Sequence, residues 1–263
     1  MKKQDVFRLF GVASFLLFAG FLLCGNVFAQ NEISHIDTAI KYMSQGYYDQ
    51  AISELNKALQ INPNSEEAYF RRGTAYREKG IATKDVTFTD QAISDYGKAL
   101  SLGPTQPHKS AMYIGIANGY HDKGDLDSAI SNYNNAISAD QSNELAFESR
   151  GLMYLKKGNL DQAIYDYTKA IGLKPGNANL YTSRASAYLQ KGGTSDGQAL
   201  SDFSSAIRLD PGQGFAYYGR SLIYYSKKQY KDALNDANKA KELGFNVPND
   251  FLDELKKVLG SDK

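Results

Sequence analysis

The side chains of this 263-residue chain that could do chemistry are three histidines, one cysteine and 19 tyrosines. His35, His108 and His121 are candidate general bases or metal ligands, yet no His-Glu-x-x-His or comparable ligand spacing joins them. His121 is followed by Asp122, the one acid–base pair in direct sequence. Adjacent residues on a helix point in different directions, so the pair makes no dyad by spacing, and a solvated or hydrogen-bonded histidine is the plainer reading. Neither a phosphate-cradling Gly-x-x-x-x-Gly-Lys nor a Gly-x-Ser-x-Gly nucleophile turn occurs. The expectation is no catalytic residue, no cofactor and no metal. Tyrosines in this number suit nucleic-acid stacking, but many recur at fixed places of an internal repeat, which makes them core. The formal charge of +1 gives no electrostatic case for nucleic acid or anionic lipid.

The elements that would position any such residue begin after a separate N-terminal stretch. Lys2, Lys3 and Arg8 form a basic start, Leu9 to Leu23 is uncharged, and Val27-Phe28-Ala29 places small residues at −3 and −1 of a cleavage site. This reads as a secretory signal over residues 1–29, with the mature chain starting near Gln30. An uncleaved membrane anchor is the rival. Cys24 follows Phe21-Leu22-Leu23, bulky where lipoprotein sites want Gly or Ala, so lipidation is not expected. Cleavage removes Lys2, Lys3, Arg8 and Asp5, leaving 27 − 28 = −1, and also removes the only cysteine. The mature chain then has no disulfide and no thiol. It reads as one domain over 30–263, large enough to fold without them.

Beyond that point the sequence repeats about every 34 residues, which signals a stack of small units. Gly158, Ala163, Tyr167, Ala170 and Pro175 in one unit correspond to Gly46, Ala51, Leu55, Ala58 and Pro63 in the first. Six units are expected at 32–65, 66–106, 110–143, 144–177, 178–213 and 214–247. Each holds two helical stretches around a turn; in the fourth these are Leu145–Lys157 and Leu160–Gly172, stopped by Lys174-Pro175-Gly176-Asn177. The alanines mark where two helices cross closely, with Tyr or Leu filling the space beside them. After the last unit, Phe251, Leu252, Leu255, Val258 and Leu259 share one helical face, giving a capping helix over 248–260.

The pattern resembles the tetratricopeptide repeat (TPR) family. Further copies are Gly73/Tyr76/Gly80/Ala92/Tyr96/Ala99/Pro104 and Ala185/Tyr188/Gly192/Ala199/Phe203/Ala206/Pro211. The resemblance covers roughly residues 32–247 and implies an all-α, right-handed α-solenoid of six helix-turn-helix units plus the cap. Gln141 stands where proline is expected, Lys228 at the turn glycine of the sixth unit, and Ala237 where others place an aromatic. Insertions break the frame within Ile81–Asp90, near Gly193–Gly197 and about Pro107–Lys109. The first is read as slack in a turn, with Val86 and Phe88 exposed as a second candidate for partner contact.

Arg72, Arg150, Arg184 and Arg220 occupy the seventh place of units two, four, five and six, and the same units carry Asp95, Asp166, Asp202 and Asp236 at the twenty-third. Units one and three lack both, with Thr38/Glu54 and Ile116/Asn132. Because the two types appear and vanish together, they are expected to pair across helices, which makes the arginines structural rather than ligand hooks.

The resemblance also implies where a partner would sit. Family members line a concave groove with the first helix of each unit, which here places Phe70, Thr74, Arg77, Asn118, His121, Asp122, Glu148, Leu152, Leu155, Thr182, Ser186, Leu189, Tyr218, Leu222 and Tyr225 along it. The Lys/Asn set with which some members clamp a chaperone C-terminus is missing, since unit one has Ile36 and Ile40 at those places. The functional expectation is therefore a non-catalytic protein-interaction scaffold of a bacterial cell envelope, periplasmic or held at the outer membrane by a partner. It would dock a peptide segment or helix, contact membrane only through an uncleaved signal, and have scope for self-association. A carbohydrate or small ligand on the tyrosines near unit six is the alternative, and an enzyme completed by a partner chain a third.

Overall fold

The computed structural model describes residues 30–261; the signal segment expected over 1–29 lies outside the described residues. Among the described residues the chain is helical without strands. The helices are α1 (30–44), α2 (Tyr48–Ile61), α3 (Glu66–Thr83), α4 (Val86–Ser101), α5 (Gln106–Asp122), α6 (Leu126–Ala139) and α7 (Glu144–Lys156). They continue as α8 (Leu160–Leu173), α9 (Ala178–Lys191), α10 (Asp196–Leu209), α11 (Gly214–Ser226), α12 (Tyr230–Glu242) and α13 (Asn249–Ser261). Each expected unit is thus a helix pair, and α13 is the expected cap. None of the described helices is long and apolar enough to cross a membrane.

The chain divides into two compact units at Gly124/Asp125, the turn inside the third repeat, so α5 belongs to the first unit and α6 to the second. In the first unit α3 packs on both α2 and α4, and α4 on α5. In the second, α7, α9 and α11 pair with α8, α10 and α12, successive pairs stack, and α13 closes on α12.

Short side chains make this stacking possible. Ala51 and Ala58, Ala92 and Ala99, Ala129 and Ala136, Ala163 and Ala170, Ala199 and Ala206, and Ala233 and Ala240 are all fully buried. Between each alanine pair sits a large buried residue, namely Leu55, Tyr96, Tyr133, Tyr167 and Phe203, while Ala237 fills the same place in the last repeat. Small beside large lets antiparallel helices approach without voids. The glycines of α5 and α11 extend this logic. A Cβ added at Gly219 would stand 2.3 Å from Phe203 Cζ, and one at Gly115 would stand 2.7 Å from Tyr96 Cζ. Both aromatic rings are buried, so either would have to shift within a packed core. Gly219→Ala is therefore expected to lower stability by about 1–3 kcal/mol through overpacking, read as a lower urea midpoint, whereas Gly97→Ala, in open space, should be neutral or mildly stabilising.

The helix starts follow ordinary capping chemistry. Ser65, Asp85, Asp125, Asn143 and Asn177 each accept a backbone N–H of the following turn. The turns between paired helices require a left-handed residue, supplied by Gly46, Gly124, Gly158 and Gly192. Lys228 takes that conformation in the sixth repeat at φ 58°, a strain of about 1–2 kcal/mol that glycine would not carry.

The second repeat departs from the sequence expectation. Ile81–Asp90 is not a loop: α3 runs on to Thr83 and α4 starts at Val86, so the extra residues lengthen both helices. The left-handed residue moves to Lys84, and Gly80, the expected turn glycine, sits buried inside α3 against Asp85 and Phe88. A run of helix-compatible residues beside a helix end extends the helix, because each added residue gains a hydrogen bond without a new nucleation cost. Val86 is exposed, but Phe88 stacks on Tyr76 at 6.3 Å and lies under the Lys79 ammonium at 4.2 Å. It is packed, not offered to a partner.

Candidate interaction surface

Behind the first helices lies a repeated ionic device. Arg72, Arg150, Arg184 and Arg220 each clasp the aspartate of their own repeat through Nε and Nη2, at 2.6–3.0 Å. The remaining Nη1 donates back to the preceding repeat, to Asn56, Asn134, Thr168 and Ser204 respectively. Each guanidinium also lies within 6 Å of an aromatic ring, Arg150 near both Phe147 and Tyr154. These arginines tie a helix pair together and join it to its neighbour, and none is free to hold a ligand. In the first repeat the substitute is Glu54, which binds His35 Nδ1 at 2.6 Å and Lys57 at 2.7 Å. Lys57 first, then His35, hold its carboxyl below the usual carboxylate range.

A second set of bridges was not read from the sequence. Lys79, Lys123, Lys157 and Lys191, each near the end of a first helix, bond Asp49, Asp90, Asp127 and Asp161 of the preceding repeat. The sequence signal is an aspartate 30 residues before each lysine, or 33 where the frame is lengthened. Exposed pairs of this kind contribute about 0–1 kcal/mol each, so they set register more than stability.

The residues assigned to the groove fall into two sets, one in each unit. In the first, α3 and α5 are in contact and carry Phe70, Thr74, Arg77, Asn118 and His121. Phe70 packs on Tyr96 at 5.7 Å, and Thr74 bonds the Phe70 carbonyl and receives the Tyr96 hydroxyl. Arg77 is tied to Asp122 at 2.8 Å and to Glu78, while His121 Nδ1 stands 3.5 Å from Asp122 Oδ1. Asp122 thus binds the arginine closely and stands at the longer distance from the histidine. Among the described residues, no group of three His, Cys, Asp or Glu is placed to hold a metal.

In the second unit, α9 contacts both α7 and α11, so the three first helices form one face. Thr182 and Ser186 turn their hydroxyls to backbone carbonyls of α9, and Thr182 also bonds Gln213. Leu222 of α11 is half-buried. Tyr218 stacks on Phe245 at 5.1 Å and meets Phe251 of the cap edge-on. Tyr225 lies 5.4 Å from Phe251 and gives its hydroxyl to Glu254. Both tyrosines are engaged by the C-terminal segment.

The open part of this face is on α7. Leu145 and Leu152 are 48% and 40% exposed, and between them Glu148 projects from the same side of the helix. No side chain or backbone group among the described residues donates a hydrogen bond to Glu148. Burial, and then neighbouring Glu144, push its carboxyl above its ordinary value, and Lys174, itself bonded to Glu144, opposes them only in part. A half-desolvated carboxylate without a hydrogen bond, between two exposed leucines, is an incomplete site, since its charge would be further stabilised by a cation from outside.

With this geometry in place, the comparisons identify the class. The TPR repeat family model matches residues 41–80, 117–158 and 151–192. The chain thus carries tetratricopeptide repeats at these three positions, and its helix pairs are those of a TPR solenoid. A comparison with curated protein sequences gives no significant match. Among solved structures, MamA aligns at 25% identity over 70% of this chain and 94% of its own, with a TM-score of 0.57. PilF of Pseudomonas aeruginosa aligns at 15% identity over 88% and 98%, with a TM-score of 0.70. YrrB, a TPR protein with an unusual peptide-binding site, aligns at 22% identity over 77% and 97%, with a TM-score of 0.59. The last two likenesses are of fold alone. A TPR scaffold points to protein–protein interaction.

Proposed function

We propose that this protein is a non-catalytic scaffold of the bacterial envelope that docks a segment of a partner protein on the first-helix face of its second unit. The observation that carries this reading is Glu148, a carboxylate without a hydrogen bond between exposed Leu145 and Leu152. The segment that fits places a Lys or Arg over Glu148 and apolar side chains on the two leucines. A face built on packed helices is formed before the partner arrives, which lowers the ordering cost of binding. The envelope assignment rests on the secretory signal read in residues 1–29. The carbohydrate reading gains nothing comparable, because Tyr218 and Tyr225 are occupied by Phe245, Phe251 and Glu254.

The test is a photo-crosslinking amino acid at position 152 of the full chain, expressed in its own cells and followed by envelope fractionation. The expected result is a discrete crosslinked partner in the envelope fraction, reduced at least tenfold by Glu148→Arg. It should also weaken as the pH falls through the raised Glu148 pKa, because protonation removes the charge that the partner's cation meets. Crosslinks that ignore Glu148→Arg would count against the site, and a cytoplasmic adduct would count against the location.

A further inference from the structure

The opposite face of the second unit carries a cavity that the first-helix site does not use. It has a volume of about 840 Å³ and opens between the end of α6 and α8, over Phe147 of α7. Three departures from the repeat's own pattern converge on it. Position 165 is tyrosine, where the other five repeats have Ser53, Ser94, Ser131, Ser201 and Asn235. Position 172 is glycine, where they have Gln60, Ser101, Ser138, Arg208 and Glu242. Gln141, on the rim, replaces the proline found as Pro63, Pro104, Pro175 and Pro211.

Neither conformation nor packing explains the glycine. Gly172 lies within α8 without a positive φ, and a Cβ there would meet nothing within 4 Å. A glycine inside a helix costs about 0.5–1 kcal/mol relative to alanine. What it does is leave the cavity open. Tyr165, 56% exposed, and Leu173, 43% exposed, form its apolar walls. Large aromatic surface left in water at this place in one repeat of six marks a contact site.

We infer that this second-helix face is a separate docking site for a short acidic–apolar peptide segment of a partner protein. The shape argues for a chain segment, because a second cavity of about 360 Å³ shares Tyr165 and Arg150 with the first and extends to Asp161. Together they follow nearly all of α8, which at 14 residues is about 21 Å long, the reach of about six extended residues. The charge argues for an acid. Lys169 lies 5.3 Å from the Tyr165 ring centroid and pairs with no carboxylate among the described residues, whereas Arg150 is taken by Asp166 and Asn134. A bulky apolar side chain fills the space above Gly172 while an adjacent Asp or Glu meets Lys169 beside Tyr165.

The experiment is selection of a random dodecapeptide phage library on the purified chain, depleted first on Gly172→Arg, which installs the residue found at the matching place in the fifth repeat. The expected winners carry an aromatic or large aliphatic residue next to Asp or Glu. As synthetic peptides they should bind at least tenfold more weakly to Gly172→Arg and to Lys169→Glu, and unchanged to Leu152→Glu. Tyr165→Ser, the residue of four other repeats, repeats the test should circular dichroism show Gly172→Arg to be misfolded. A library that yields no peptide separating wild type from these variants overturns the inference. So do winners without an acid, or winners lost only with Leu152→Glu. Sedimentation that finds wild type dimeric and Gly172→Arg monomeric would assign the face to a second copy and equally overturn it.

Discussion

Arg150→Ala should lower the unfolding free energy by about 3–5 kcal/mol, the loss typical of removing one partner of a buried ion pair. Asp166 is the reason: its side chain is 1% exposed and is held by Arg150 Nε and Nη2 at 2.8 and 2.7 Å. Burial pushes the Asp166 carboxyl upward, and the bidentate bond with Arg150 opposes that shift. The carboxyl stands above its ordinary value even with the arginine in place, and without it burial is unopposed and the folded-state pKa rises further. The sign then follows from linkage: the penalty is full above the folded pKa and is relieved as pH falls below it. Urea titrations should therefore show the deficit narrowing in mild acid. Replacing both partners, Arg150→Met with Asp166→Leu, should recover much of the loss, since an apolar pair leaves no buried charge. A single variant that loses less than about 1 kcal/mol, a value usual for exposed pairs, would mean that water reaches the clasp. Peptide binding on the first-helix face should survive as long as the variant is folded, because Arg150 lies behind that face.

Leu255→Ala should cost about 2–5 kcal/mol, the range for emptying a large aliphatic site in a core. Leu255 is fully buried in α13 and shares a cluster with Ala233, Ala237, Ala240, Val247 and Leu252. The last repeat has only alanine where the others place a large central side chain, so it depends on α13 for its apolar contacts. In a stack of repeats each unit is stabilised by its neighbours, so the loss should be local. Hydrogen exchange should quicken in α12 and α13 while α7 and α8 keep their protection. Uncovered Tyr218, Phe245 and Tyr225 should then drive association, seen as faster sedimentation with rising concentration. An unchanged exchange pattern would show that α13 decorates the end rather than closing it.

How much of this was legible in the sequence can be judged from particular residues. The alanines at helix crossings, the cap face of Leu252 and Leu255, and the Arg–Asp pairs were all readable, because each repeats or covaries within the one chain. The Lys–Asp bridges were equally periodic but join different repeats, and only a distance between helices reveals them. The extra residues within Ile81–Asp90 read as a loop because their spacing breaks the frame, yet backbone hydrogen bonding carried α3 and α4 through them. Of the groove residues, sequence placed all on the first helices without separating those in use from those at rest. Arg77 is bound to Asp122, and Tyr225 to Glu254. Those partners are 45 and 29 residues away, beyond the reach of any local pattern.

The sequence by itself determined the helix pairs, their number and their internal pairing, because period, small residues and caps act over a few turns of one chain. Tertiary structure alone decided which polar and aromatic groups remain open. Glu148 and Tyr165 look like many other residues of their type until the neighbours that could satisfy or cover them are in place. Solvent exposure and unpaired charge are properties of the packed stack, set by residues distant in sequence, and they are what turns a repeat into a binding surface.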